Sequence, residues 1–203
     1  MLDITQYPEL IVKQKVEVLE AFTGFETQNR YAIETPEGEN LLYAFEESGF
    51  LGRQFLRKNR PLTIHILDND GQEVFSASRG FFFYFSNLQV IDGSGRPLGS
   101  LRRRFSLFSR QFTLEDPNGQ PIGAVRGPLF RPNTFFIEDE GMEVARVTKQ
   151  WSGLLKEAVT DADTFRVSFN TPTRDQDFTH LILATAFAID LGFFEGGGGI
   201  SLG

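Results

Sequence analysis

Asp161 and Asp163 stand one residue apart in the run Thr160–Asp161–Ala162–Asp163. Two carboxylates at the first and third positions of a loop are how a calcium loop begins. The pattern then departs: the sixth position, where such a loop needs glycine, is Arg166, and the twelfth, where it needs glutamate, is Pro172. A turn capped by either aspartate explains the same residues, so a weak calcium site and a plain turn both remain open. A second set is cationic. Between Gly93 and Pro132 seven arginines face only Glu115 and Asp116. Arginine forks match phosphate geometry, and Arg96, Arg102, Arg103, Arg104 and Arg110 form a candidate site for anionic lipid head groups. In a strand Arg102 and Arg104 share one face and Arg103 takes the other. A solvated strand face paired with local acids is the competing reading. His65 and His180 are the only histidines, and neither has a catalytic constellation around it. There is no P-loop, no His-Glu-x-x-His and no serine nucleophile elbow, and Gly93, Gly95 and Gly99 miss the dinucleotide spacing. Standard enzyme signatures are therefore missing, and whether the chain catalyses a reaction stays open at this point.

The elements that must position these residues are hairpins. Ile66–Val74, Val90–Leu98, Leu114–Ile122 and Ile137–Val144 each read as an apolar end, an acidic turn with glycine, and an apolar return. Their turn glycines, 71, 95, 119 and 141, lie 24, 24 and 22 residues apart. Strand, Asx/Gly turn and returning strand at fixed spacing make an antiparallel meander. Thr35–Pro36–Glu37–Gly38 adds one more turn between Tyr31–Ile33 and Leu41–Phe45. A meander this long removes its edges by closing into a barrel. About twelve strands leave more room than inward side chains fill, since about eight already suffice for that.

The occupant is at the far end of the chain. From Leu181 to Ile189 no charge interrupts the sequence, and Thr185 is the one polar side chain. A helix apolar all round is enclosed by protein or spans a membrane. A span needs about 20 apolar residues, and this run reaches Phe194 only by including Asp190. The expectation is an enclosed helix with Leu181, Leu183, Phe187, Ile189 and Phe193 against the barrel wall. The fold class is therefore mainly β, a closed antiparallel barrel around a buried C-terminal hydrophobic helix. It forms a single domain over residues 1–203, with its core at about 10–195 and a flexible tail from 196.

Two further stretches carry open readings. Ser48–Arg60 mixes Phe and Leu with four basic residues, as a cover for one end of the core or as a patch touching a membrane surface. Phe81–Phe85 is aromatic on both faces, as a covered strand or as a contact for lipid or another protein. The net charge of −7 argues against nucleic acid as a partner. The absence of cysteine excludes disulfides and thiolate chemistry. The first residues lack the build of a signal peptide. The expected location is cytoplasmic, peripheral at the inner face of the plasma membrane.

The whole chain resembles the phospholipid scramblase family, of tubby-like and LURP-one-related fold. The resemblance lies in Leu10–Glu17, Phe22–Tyr31, Asp68–Val74, the Trp151-to-Asp163 segment within Lys149–Phe165, and Phe187–Glu195. It implies a twelve-stranded barrel around a central C-terminal helix. It also implies a proposed calcium-dependent, ATP-independent movement of phospholipids between leaflets, with a metal loop starting at Asp161 and Asp163. The chain departs from the family pattern in having Pro172 at the loop's later acid and no cysteine cluster.

Overall fold

The computed structural model describes residues 3–15, 29–47, 61–80, 87–150, 163–170 and 175–194. Twelve strands are described: β1 (Glu9–Gln14), β2 (Arg30–Glu34), β3 (Asn40–Glu47), β4 (Leu62–Leu67), β5 (Glu73–Arg79), β6 (Asn87–Asp92), β7 (Pro97–Arg104), β8 (Ser109–Glu115), β9 (Pro121–Pro128), β10 (Thr134–Asp139), β11 (Met142–Gln150) and β12 (Thr164–Phe169). Each is antiparallel to its neighbours in sequence, and β12 closes the barrel on β1 with Leu10 opposite Val167 and Val12 opposite Phe165. The expected meander and its closure are both present.

Alternation sets the lining of the bore. Leu62, Ile64 and Ile66 on β4, Phe135 and Ile137 on β10, Val147 on β11 and Val167 on β12 are buried. Inside them runs α1 (Gln176–Ile189), whose residues from Phe178 to Ile189 are all buried. Asp175 caps its start by accepting from the Phe178 amide at 2.7 Å. Beyond Ile189 the helix widens into a π-helical turn, Asp190–Phe194. Asp190 is buried and accepts from the Tyr31 hydroxyl at 2.8 Å. Together these 19 residues are long and apolar enough to cross a bilayer, yet 78% of the most apolar stretch is buried within the protein. The helix is the plug the sequence implies, and Leu181, Leu183, Phe187 and Ile189 lie in the core.

The antiparallel order gives the barrel two unlike ends. One rim collects the short turns. Asp68, Asp92 and Asp116 each accept, through Oδ1, from the amides two and four residues on, at 2.8–3.0 Å. In each turn the glycine amide returns to the aspartate carbonyl. This repeated Asx turn is the physical basis of the near-24-residue period. A 3₁₀ turn, Ile4–Gln6, covers the helix start at this rim with Ile4 fully buried. The opposite rim, where α1 ends, receives Arg104, Ser109, Pro128, Thr134, Gln150 and Thr164 at strand termini.

Candidate functional site: the rim where the helix emerges

Two neighbouring connections at this rim break the rule of polar turns. Phe105–Ser106–Leu107–Phe108 joins β7 to β8, and Leu129–Phe130–Arg131–Pro132–Asn133 joins β9 to β10. Phe108 and Phe130 are 83% and 82% exposed, Phe105 and Leu107 70% or more, and Leu129 half exposed. Strands β8 and β9 lie side by side, so the two loops form one apolar crest. Single exposed apolar residues are ordinary, whereas a contiguous set marks a contact surface.

Below the crest the helix end meets three cations. Phe193 packs on Phe112 and Phe135, with ring centroids 5.5 and 5.7 Å away. Phe194 packs against Phe135 and Phe165 at 6.5 and 6.1 Å. The Arg103 guanidinium stands 4.7 Å from the Phe193 centroid. Arg110 stands 4.3 Å from Phe135 and 5.4 Å from Phe193. Lys149 lies 3.9 Å from Phe194. Burial lowers the pKa of Arg103 and of Arg110 from the ordinary arginine value, but guanidinium stays charged at any physiological pH. The ring faces offset part of the lost hydration, about 0.5–2 kcal/mol per contact.

The five arginines named from sequence divide between different surroundings. Arg102 and Arg104 point outward and share the buried carboxylate of Glu115, at 3.1 and 3.9 Å. Arg104 also donates to the Thr113 hydroxyl at 3.0 Å. One sheltered acid therefore serves two arginines, an economy that counting charges along the chain misses. Arg103 points the other way, as alternation requires, and joins Arg110 at the helix end. Arg96 stands at the opposite rim. It pairs with Asp92 at 2.9 Å and forks onto both carboxylate oxygens of Asp177, at 2.7 and 2.9 Å. That clip ties the first turn of α1 to the β6–β7 turn and holds the Asp177 carboxyl below its usual range. Arg96→Ala is expected to lower the melting temperature only slightly, because the pair is exposed and screened by solvent, and to leave binding to anionic vesicles unchanged in a sedimentation assay.

His180 lies beside this clip and is buried with its ring stacked on Phe75, 4.7 Å between centroids. Neither ring nitrogen has a hydrogen-bond partner among the described residues. Burial pushes its pKa down to about 4, against the opposing pull of Asp177, Asp92 and Asp3, with Arg96 adding to the depression. The unfolded chain takes up this proton near pH 6.5 and the folded chain does not until about pH 4. Stability is therefore lost as pH falls through that window, by about 2 kcal/mol at pH 5. His180→Leu is expected to remove most of this slope, read from urea midpoints at pH 7 and pH 5.

Of the two carboxylates of the candidate calcium loop, Asp161 lies outside the described residues, as do Phe81–Phe85, Ser48–Arg60 and the segment 151–162. Asp163 is ion-paired with Lys149 Nζ at 2.7 Å. Among the described residues no group of three or more His, Asp or Glu is placed to hold a metal ion. Calcium takes six to eight oxygens, and of the candidate loop's two carboxylates the described residues place only that of Asp163. The crest residues Phe105, Leu107, Phe108, Leu129 and Phe130 were missed in the sequence. The available signal was large apolar side chains in hairpin connections that lack the Asx/Gly pattern of the other turns.

The fold and this rim define a class: a closed up-and-down barrel filled by its own C-terminal helix. A solved protein of Arabidopsis thaliana has the same fold, with a TM-score of 0.52, 13% identity, and coverage of 94% of this chain and 98% of that one. The scramblase family model matches residues 1–196. Phospholipid scramblase 1 of Rattus norvegicus is 32% identical over 95% of this chain and 61% of its own length. Phospholipid scramblase 1 of Homo sapiens is 29% identical over 96% of this chain and 65% of its own length. The chain thus spans somewhat under two thirds of these relatives. It belongs to the scramblase family.

Proposed function

We propose that this protein works at the surface of phospholipid membranes as a scramblase-like protein, docking through the rim where α1 ends. The observation that carries the reading is the crest of Phe105, Leu107, Phe108, Leu129 and Phe130, standing in water directly above Arg103 and Arg110. Apolar tips over cations suit an interface of acyl chains and anionic head groups. In this reading the protein is peripheral, with the barrel axis upright and the Asx-turn rim facing away from the lipid. Transbilayer movement of phospholipid is the activity the family suggests. It would proceed along the outside of the barrel, because α1 fills the bore. That filled bore also favours a second reading, a docking module that binds anionic lipid without moving it.

The deciding experiment reconstitutes the chain into vesicles carrying labelled phospholipid and follows exchange between leaflets with and without calcium. Exchange above protein-free vesicles is the expected result for the first reading. Binding with no exchange leaves the docking module, and no binding to anionic vesicles rejects both. Calcium enters as an expectation of the family resemblance alone. An increase with calcium would require Asp163 to exchange Lys149 for the metal, and Asp163→Asn would abolish it.

A further inference from the structure

We propose that Arg103 and Arg110 form a binding site for a single phosphate monoester, carried by a lipid whose head group ends in phosphate; the lipid source rests on the docking reading above. Arg103 is directly opposite Phe112, whose side chain faces the bore, and Arg110 lies two residues before Phe112 on the same strand. The two arginines are therefore diagonal neighbours on one face of the β7–β8 pair, about 7–8 Å apart at Cα. Both guanidinium groups approach the same ring, that of Phe193. Like charges placed this way repel one another, and partial burial strengthens the repulsion.

Nothing among the described residues neutralises them. Glu115 is engaged by Arg102 and Arg104, Asp163 by Lys149, and Glu138 by Arg126. Arg110 donates one long bond, 3.4 Å, to the Arg131 carbonyl, and its Nε is buried without a partner. The sheet thus holds two positive charges and spare N–H donors side by side at the foot of an apolar crest. A phosphate monoester carries about two negative charges near neutral pH and three acceptor oxygens. It balances the pair, whereas a phosphodiester, with one charge, leaves one guanidinium uncompensated. The crest places the site at head-group depth when Phe108 and Phe130 reach the acyl boundary, which lies about 5–10 Å below the surface for an interfacial apolar face.

The test uses the full chain in two arms. In solution, methyl phosphate and dimethyl phosphate are titrated while the arginine Nε–H resonances are followed by NMR. On membranes, phosphatidylcholine vesicles containing phosphatidic acid are compared with vesicles containing phosphatidylserine at equal surface charge. Methyl phosphate is expected to shift the Arg103 and Arg110 resonances and to bind about tenfold more tightly than dimethyl phosphate. Phosphatidic acid vesicles are expected to bind by a similar factor over phosphatidylserine. Arg103→Gln/Arg110→Gln is expected to erase both preferences while residual binding through the crest persists. Arg103→Lys, which keeps the charge but not the fork, should lose part of the preference, and it controls for misfolding of the double variant.

Equal affinity for the two soluble phosphates, or no shift at either arginine, overturns the site whatever the vesicles do. A soluble preference without a lipid preference, where vesicles still bind, overturns the lipid source and leaves a soluble monoester. A soluble preference with no vesicle binding at all overturns the lipid source together with the docking reading, and leaves the phosphate site standing.

Discussion

Gly99→Ala is expected to lower stability by about 4 kcal/mol, a drop in melting temperature of about 10 °C or more for a chain of this size. Gly99 sits on β7 with φ at +146°, a backbone region that side chains rarely enter. A Cβ there would lie 2.3 Å from the Glu115 carbonyl oxygen of β8 and 3.1 Å from Leu181 Cδ1 of the plug. The strain of the dihedral contributes about 1–3 kcal/mol, and forced overpacking about as much again. Gly119 separates the two effects. It too has positive φ, +80°, but a Cβ on it would meet nothing within 4 Å. Gly119→Ala should therefore cost only about 1 kcal/mol. Thermal and urea unfolding of the two variants measure the difference. Equal losses would mean that Gly99 does not stand against the β8 backbone and Leu181 as described.

Phe108→Asp/Phe130→Asp is expected to weaken binding to anionic vesicles by about ten-thousandfold or more while leaving the melting temperature within about 2 °C of the parent. Each phenylalanine is more than four-fifths exposed, so neither contributes appreciably to the folded core. Inserting each into the acyl boundary is worth about 2 kcal/mol. Each new carboxylate adds repulsion from the anionic surface, about 1 kcal/mol by analogy with the attraction of a nearby lysine or arginine. Co-sedimentation across a salt series reads the loss. Unchanged binding would show that the crest is not the face presented to lipid, and would remove the docking reading with it.

Much of the architecture could be read without coordinates because it is written in local chemistry. An aspartate whose side chain takes two amides, followed by a glycine free to adopt positive φ, marks a tight turn wherever it recurs. Asp68, Asp92 and Asp116 repeat it nearly in step. The plug is equally plain, since Leu181–Ile189 offers no wet face. The alternation of Arg102, Arg103 and Arg104 was also readable, because a strand permits only two faces. What stayed hidden were facts of closure. Arg96 and Arg103 are seven residues apart, along most of the length of β7, and end at opposite rims. Glu115 neutralises two arginines because β7 and β8 pair in one register, with Ser100 opposite Glu115. With 22 phenylalanines in the chain, composition cannot separate Phe135, fully buried, from Phe130, almost fully bare. Only the assignment of each connection to a rim does that.

The join between β1 and β12 has a consequence for synthesis. A ribosome releases the first strand more than 150 residues before its partner, and the segment that fills the interior emerges later still. At the translation rates of cells this leaves the first hairpins without a closing edge for about ten seconds or more. Such a nascent chain presents unpaired backbone and an unfilled hollow to its surroundings. Holdase chaperones should therefore bind it strongly until residues 176–194 clear the exit tunnel, and ribosome-stalled chains ending before Gln176 should remain protease-sensitive along their whole length.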